Sequence, residues 1–133
     1  MLDGIDVSEP TPDIAGPVEG LWTRLWIDRD EAGIAALVTD PYVRHGADGS
    51  RTDRAAEYAR QACRTARHIE GTAVDFHHLD HHRDTVHARF TLHGVDLRTG
   101  RTIAIACLSH YRLDGDRITE SWSLRQTDLS WPG

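Results

Sequence analysis

Residues 84–126 read DTVHARFTLHGVDLRTGRTIAIACLSHYRLDGDRITESWSLRQ, and the fold turns on how this run divides. Three alternating segments, Thr85–Val95, Arg101–Leu113 and Arg117–Gln126, are separated by Arg98-Thr99-Gly100 and Leu113-Asp114-Gly115-Asp116. Asp-Gly between two alternating runs marks a tight hairpin, because few residues tolerate the positive φ such a turn needs. Two antiparallel hairpins are therefore expected. Side chains alternate with period two, so Val86, Ala88, Phe90 and Leu92 share one face and His87, Arg89, Thr91 and His93 the other. In the second segment Ile103, Ile105, Cys107, Tyr111 and Leu113 oppose Thr102, Ala104, Ala106, Leu108 and His110. In the third, Ile118, Trp122 and Leu124 oppose Thr119, Ser121, Ser123 and Arg125. The middle strand is apolar on both sides, which predicts cover on both. Helices of this short chain can cover one side only. A homodimer through the outer sheet face is the expectation, with Ile118, Trp122 and Phe90 partly covered by the second copy.

Upstream, Gly71 restarts the chain as a further strand, Thr72–His81, turning at His82-Arg83 into the hairpins. Before it, three helices are predicted. Pro17 suits a first helical position, and Val18, Leu21, Trp22, Leu25 and Trp26 follow at i, i+3, i+4, i+7 and i+8. Asp28-Arg29-Asp30 breaks that helix, with Asp30 an N-cap for a shorter one bearing Ile34, Leu37 and Val38. Thr39-Asp40-Pro41 ends it, since the residue before proline is pushed out of the α region. Tyr42-Val43-Arg44-His45 is a short extended piece and Gly46–Ser50 a loop. Thr52 caps a third helix, from about Asp53 to His68, with a small inner face of Ala55, Ala59, Ala62, Cys63 and Ala66. Residues 1–16 show no sustained period and read as a flexible arm. Residues 17–133 form one domain. Helices segregated to one face of a bent antiparallel sheet make an α+β, cone-shaped domain with a pocket at its open end.

The chain has 133 residues, enough for one domain and one core. A formal charge of −6 argues against a nucleic-acid partner, which calls for a basic patch. No apolar run approaches a membrane span and the start lacks a signal-peptide pattern, so no membrane partner and a cytoplasmic location are expected. Cys63 and Cys107 have no zinc-site spacing and read as small buried thiols.

Three pieces carry a resemblance. One is the aromatic helix leading through Asp30–Leu37 to Asp40-Pro41-Tyr42-Val43-Arg44-His45-Gly46. Another is Asp84–Thr91, with an arginine beside an aromatic. The third is His110-Tyr111-Arg112-Leu113-Asp114-Gly115-Asp116-Arg117-Ile118-Thr119-Glu120-Ser121-Trp122. Together, over roughly residues 17–126, the chain resembles the nuclear transport factor 2-like superfamily, and within it the SnoaL-like (polyketide cyclase, ketosteroid isomerase-like) branch. The resemblance implies the cone fold, a small-molecule site and no cofactor, but no single reaction, because this fold hosts isomerases, dehydratases, cyclases, epoxide hydrolases and binders. It also implies that the Arg89 column looks into the cone, with the Phe90 column toward a partner. His45 falls where related isomerases hold a base carboxylate, and His110 near a catalytic position of the cyclases. Thr91 and Ser123 fall where relatives carry acids, a departure that counts against the usual carboxylate-driven chemistry.

The candidate catalytic residues are His45, Arg89 and His110. An imidazole exchanges protons near neutral pH, so His45 is the expected general acid or base, with Arg89 and His110 polarising a substrate oxygen. Candidate substrate-binding residues are Trp22, Trp26, Tyr42, His87, Thr91, Leu108, Ser121 and Ser123, although helical spacing alone accounts for both tryptophans as core. On this assignment Glu120 and Trp122 lie outside, at the dimer contact. His78, Asp80 and His82 share one strand side at i, i+2, i+4, a pattern borderline metals accept. The run ends at a turn where side chains splay, and no metal is expected. The function expected is cofactor-free acid–base chemistry, of isomerase, dehydratase or cyclase type, on an apolar or polyketide-like substrate. The alternative is a non-catalytic ligand-binding or dimeric interaction module.

Overall fold

The computed structural model describes residues 15–132. The arm expected over residues 1–16 therefore lies, up to residue 14, outside the described residues. Pro17 opens α1 (Gly16–Trp22), which runs without a break into a π-helical turn over Thr23–Asp28. The predicted stripe holds through both: Val18, Leu21, Trp22, Leu25 and Trp26 are all buried. Arg29, at φ 55°, ends the segment. Its guanidinium donates to the carbonyls of Ala66 (2.6 Å), Ile69 (2.6 Å) and Trp26 (3.2 Å) and so ties three segments together.

Asp30 caps α2 (Glu31–Ala36) as predicted, its carboxylate accepting the Gly33 N–H at 3.0 Å. A Cβ on Gly33 would meet that carboxylate at 2.3 Å, so the cap and the glycine come as a pair. Thr39-Asp40-Pro41 lies beyond the helix, inside strand β1 (Val38–Gly46). Gly46–Ser50, expected as a loop, instead makes a tight hairpin. β1 pairs antiparallel with β2 (Gly49–Asp53), and Gly49 takes φ 114° at the turn. The third helix, α3 (Ala55–Thr65), is shorter than predicted and is not capped by Thr52. Asp40, brought alongside by β1, accepts the Ala55 N–H (3.1 Å) and a two-pronged contact from Arg54 (2.7 and 2.9 Å). These contacts hold the Asp40 carboxyl down at about 2. Tyr58, absent from the expected inner face of α3, is buried there beside Ala55 and Ala59.

β3 (Ile69–His82), β4 (Thr85–Asp96), β5 (Thr102–Asp114) and β6 (Arg117–Thr127) form the long hairpins. The six-stranded sheet has the order β2-β1-β6-β5-β4-β3, antiparallel except for β1 against β6. The fold is the expected α+β arrangement, a curved open sheet with its three helices on one face.

Contacts decide which face is which. Phe90 meets Trp22 with ring centroids 5.1 Å apart, and Tyr111 accepts the Trp22 indole N–H at 2.8 Å. Val86, Ala88, Phe90 and Leu92 therefore face the helices, and all are buried. The orientation implied by the resemblance, Arg89 inward and Phe90 toward a partner, is corrected: burial of a contiguous apolar column outweighs the analogy. Ile118 is likewise 0% exposed within the single chain and unavailable to a second copy. A β-bulge explains its position. Arg112 pairs with Glu120 but Leu113 pairs with Ile118, leaving Thr119 unopposed. One extra residue turns the alternation over, so Ile118 and Ser121 both point inward while Glu120, Trp122 and Leu124 point outward.

Part of the outer face is covered by the chain's own end. The Trp131 indole donates to the Cys107 carbonyl at 3.0 Å, its ring lies under the Arg89 guanidinium (5.9 Å), and Thr91 beneath it is 0% exposed. Leu108 and Leu124, further along that face, are 50% and 60% exposed.

Candidate functional site

Between the helices and the inner sheet face lies a cavity of about 460 Å³. Its depth is built from three phenols and the groups that orient them. Tyr42, from β1, donates to Ser121 Oγ on β6 at 2.8 Å. Tyr58, from α3, meets the Tyr42 ring edge-on at 4.8 Å. Tyr111, from β5, accepts from the Trp22 indole. Burial pushes all three phenols up, so they stay neutral and serve as hydrogen-bond donors across the physiological range. Ser109 and Ser123 share a hydrogen bond of 3.0 Å on the same inner face.

Arg44 is the cavity's fixed cation. It precedes His45 on β1 and so takes the opposite side, stacking over the Tyr58 ring at 4.6 Å with Nη2 2.9 Å from Asp53. Its Nε is buried and, among the described residues, has no protein partner. Arg125, opposite Cys107 in the sheet register, is a second cation at the wall.

His45 stands at the rim. Parallel pairing of β1 with β6 sets it beside Trp122, and the two rings stack 5.2 Å apart at 20°. Nε2 is 2.7 Å from Glu120 Oε2, and Nδ1 is 2.6 Å from Ser50 Oγ. The other Glu120 oxygen accepts from Arg112 at 2.9 Å. A carboxylate only accepts, so the Nε2 proton belongs on the Glu120 side and Nδ1 accepts the Ser50 hydroxyl proton.

The remaining candidates divide by face. Trp22, Tyr42, Ser121 and Ser123 line the cavity with His45. Trp26 belongs to the core, its indole donating to the His93 carbonyl at 2.7 Å. Arg89, His110, His87 and Leu108, all expected within the cone, line instead an outer hollow of about 550 Å³ with Trp122, and His45 and Ser123 border both spaces. Thr91 is also on the outer side, bonded to His77 at 2.8 Å under Trp131. The error is one of parity: Ser121 and Ser123 were correctly placed inside, but the register sets them opposite Tyr111 and Ser109, not His110 and Leu108. In the outer hollow His110 packs edge-on against His87 (4.4 Å) and Trp122 (5.0 Å). Burial first, then His87 and Arg112, hold the His110 pKa below that of a free imidazole. Among the described residues no group of three or more His, Cys, Asp or Glu is arranged to hold a metal ion, the His77–His82 run included.

A family model for the SnoaL-like domain matches residues 18–121. The chain belongs to the SnoaL-like family. Its solved neighbours share the fold at low identity. IdmH of Streptomyces antibioticus, named a candidate polyketide cyclase, superposes with TM-score 0.72 at 16% identity, over 86% of this chain and 93% of its own. An epoxide hydrolase of M. tuberculosis, of the LEH-like type, gives 0.70 at 17%, over 85% and 82%. A Catenulispora acidiphila protein of ketosteroid isomerase-like fold, solved with trimethylamine, gives 0.68 at 20%, over 86% and 85%. A search of curated protein sequences finds no match. Within this SnoaL-like domain the sequence reading missed Arg44, Ser50, Tyr58, Tyr111 and Glu120 as site residues. Arg44 was recoverable, since an inward Tyr42 requires an inward Arg44 two residues on. The Glu120–His45 contact spans 75 positions and left no local trace.

Proposed function

We propose that this SnoaL-like protein is a cofactor-free enzyme that moves protons on an apolar or polyketide-like small molecule held in the cone, in a reaction of isomerase, dehydratase or cyclase type. The observation that carries the reading is a cone floored by neutral phenols with the inward Arg44 among them, and His45 at the rim it shares with the outer hollow, its imidazole held on the outer side by Glu120 at 2.7 Å. An oriented imidazole takes a proton from carbon or oxygen and returns it at a second position. Tyr42 gives its one proton to Ser121, which leaves the Ser121 hydroxyl proton to donate to the substrate oxygen on which charge develops, and Arg44 offers its unpaired Nε to the same region. Ser121, backed by Tyr42, and Arg44 thus take the roles first expected of His110 and Arg89, which sit on the other face. Leu21, Trp22 and Leu25 give the cavity its apolar wall.

The test is proton exchange. Cyclic ketones and β-diketones incubated with the protein in deuterated water should gain deuterium next to the carbonyl, followed by NMR. His45→Ala should slow exchange by about 10²–10⁴-fold, the usual worth of a positioned acid or base. Tyr42→Phe should cost a further ~10²-fold. A ligand bound in the cone and returned without exchange would favour the binding-module reading instead.

The same reading includes a homodimer. Leu108 and Leu124 leave apolar surface beside Trp122 on the outer sheet face, and a second copy related by two-fold symmetry would cover it. Light scattering should give twice the 14.9 kDa chain mass, and Leu124→Glu should halve it. A monomeric wild-type protein at micromolar concentration ends the dimer.

A further inference from the structure

We propose that Ser50, His45 and Glu120 form a nucleophilic triad at the mouth of the cone, giving the protein a second activity as a hydrolase of small carboxylic esters. Three elements meet there: Ser50 from edge strand β2, His45 from β1 and Glu120 from β6. The two contacts, 2.6 Å from Ser50 Oγ to Nδ1 and 2.7 Å from Nε2 to Glu120, are those of a nucleophile, a base and an orienting acid. The ring nitrogens are exchanged relative to the familiar hydrolase arrangement, but the chemistry follows which group faces which nitrogen. The constellation is also braced. Arg112 holds the second Glu120 oxygen at 2.9 Å, Trp122 stacks beneath the imidazole, and the Arg112 guanidinium lies 5.5 Å from that same indole. No acyl-transfer role is needed for the proton chemistry in the cone, so Ser50 is a group that chemistry does not use.

The position suits an ester. Ser50 is exposed and pairs with His45 in the β1–β2 register, so it lies on the outer side next to the hollow that His45, Leu108 and Trp122 line, where an acyl group can rest with its carbonyl at the serine. Among the described residues β2 is the terminal strand of the sheet and pairs only with β1. Alternate N–H groups at its open edge are then free to meet a developing oxyanion.

The steps balance with water as the only co-reactant. Ser50 Oγ bonds to the ester carbon as its proton passes to His45 Nδ1, with Glu120 holding the Nε2 proton. The ester C–O bond breaks and the alcohol departs with the proton from Nδ1. Water then attacks the acyl-serine, giving a proton to Nδ1. The Ser50 Oγ–acyl bond breaks, and that proton returns to Ser50. The products are an acid and an alcohol.

Two measurements on the full chain test this. A fluorophosphonate probe should add covalently to Ser50, located by peptide mass spectrometry, and p-nitrophenyl acetate should be hydrolysed with a burst of p-nitrophenol. Ser50→Ala should abolish the adduct and lower hydrolysis by about 10²–10⁴-fold with an unchanged melting curve, since the side chain is exposed. Glu120→Gln should slow labelling at Ser50 and change its pH profile. No adduct, an adduct on another residue, or Ser50→Ala hydrolysing as fast as wild type overturns the triad. The proposal rests on the same imidazole as the proton-exchange reading, yet the failures are separable: labelling reports Ser50, and deuterium uptake reports the cone.

Discussion

The two faces of one sheet are built to different rules. The inner face packs Val86, Ala88, Phe90, Leu92 and Tyr111 against the indoles and aliphatics of the first helix, with the Trp22–Tyr111 and Tyr42–Ser121 hydrogen bonds inside it. The outer face carries histidines, Arg89, Trp122 and two exposed leucines, and a C-terminal tryptophan covers it in part. Neighbours in sequence thus live in different environments. Phe90 is 0% exposed, whereas the half-buried Arg89 sets its guanidinium over the Trp131 ring. The lesson is that chemistry-bearing side chains do not mark the cavity: the side with more imidazoles is the side without the cone.

The sharpest test of this contrast is a pair of adjacent truncations. Phe90→Ala should destabilise by about 3–5 kcal/mol in denaturant melts, through lost burial and a cavity beneath Trp22. Arg89→Ala should cost no more than about 1 kcal/mol, the range of a surface substitution with a partial ring contact. Equal costs would mean the faces are wrongly assigned. Trp131→Ala should fall between, at about 1–3 kcal/mol, because it uncovers Thr91 and removes the indole hydrogen bond to the Cys107 carbonyl, while the backbone N–H bond to Thr91 stays. No loss at all would show that the tail does not cover the outer face in solution.

Smaller effects come from titration. The Asp40 carboxyl is held at about 2, below its unfolded value, so its contribution is present at neutral pH. That contribution is lost as the pH falls from the ordinary carboxylate range through about 2, and Asp40→Asn should flatten this acid limb of the stability curve. His110 runs to a different window. Its folded pKa lies below that of a free imidazole, so the unfolded chain binds the proton first and stability declines as pH drops below the ordinary histidine range. His110→Asn should remove that slope. An unchanged slope would place the buried imidazole contact elsewhere.

Legibility in the sequence followed range. The buried stripe of the first helix, the Asp30 cap and the three hairpin strands were readable, because each depends on spacing within a few residues, whereas the Phe90 column was turned outward by the resemblance against its own apolar alternation. The β2 strand was not, since its polar Gly49–Asp53 run carries no apolar alternation and is held by its neighbour β1. The cap of α3 was assigned to Thr52 when the true acceptor is Asp40, 15 residues away from the N–H it satisfies. Ile118 was placed outward because no local signal announces the bulge at Thr119.

What the sequence determined by itself is a single α+β cone of the SnoaL-like family, its helices amphipathic and its sheet folded by Asp-Gly and Thr-Gly turns. Periodicity and turn chemistry are local properties, and they sum to a fold without knowledge of register. What only the tertiary structure decided is which side chains share a site. Strand pairing placed Glu120 and Ser50 on either side of His45, and one bulged residue sent Ser121 inward and Trp122 outward. A side chain three ångströms from its partner is fixed by register, and a shift of one residue moves it to the opposite face.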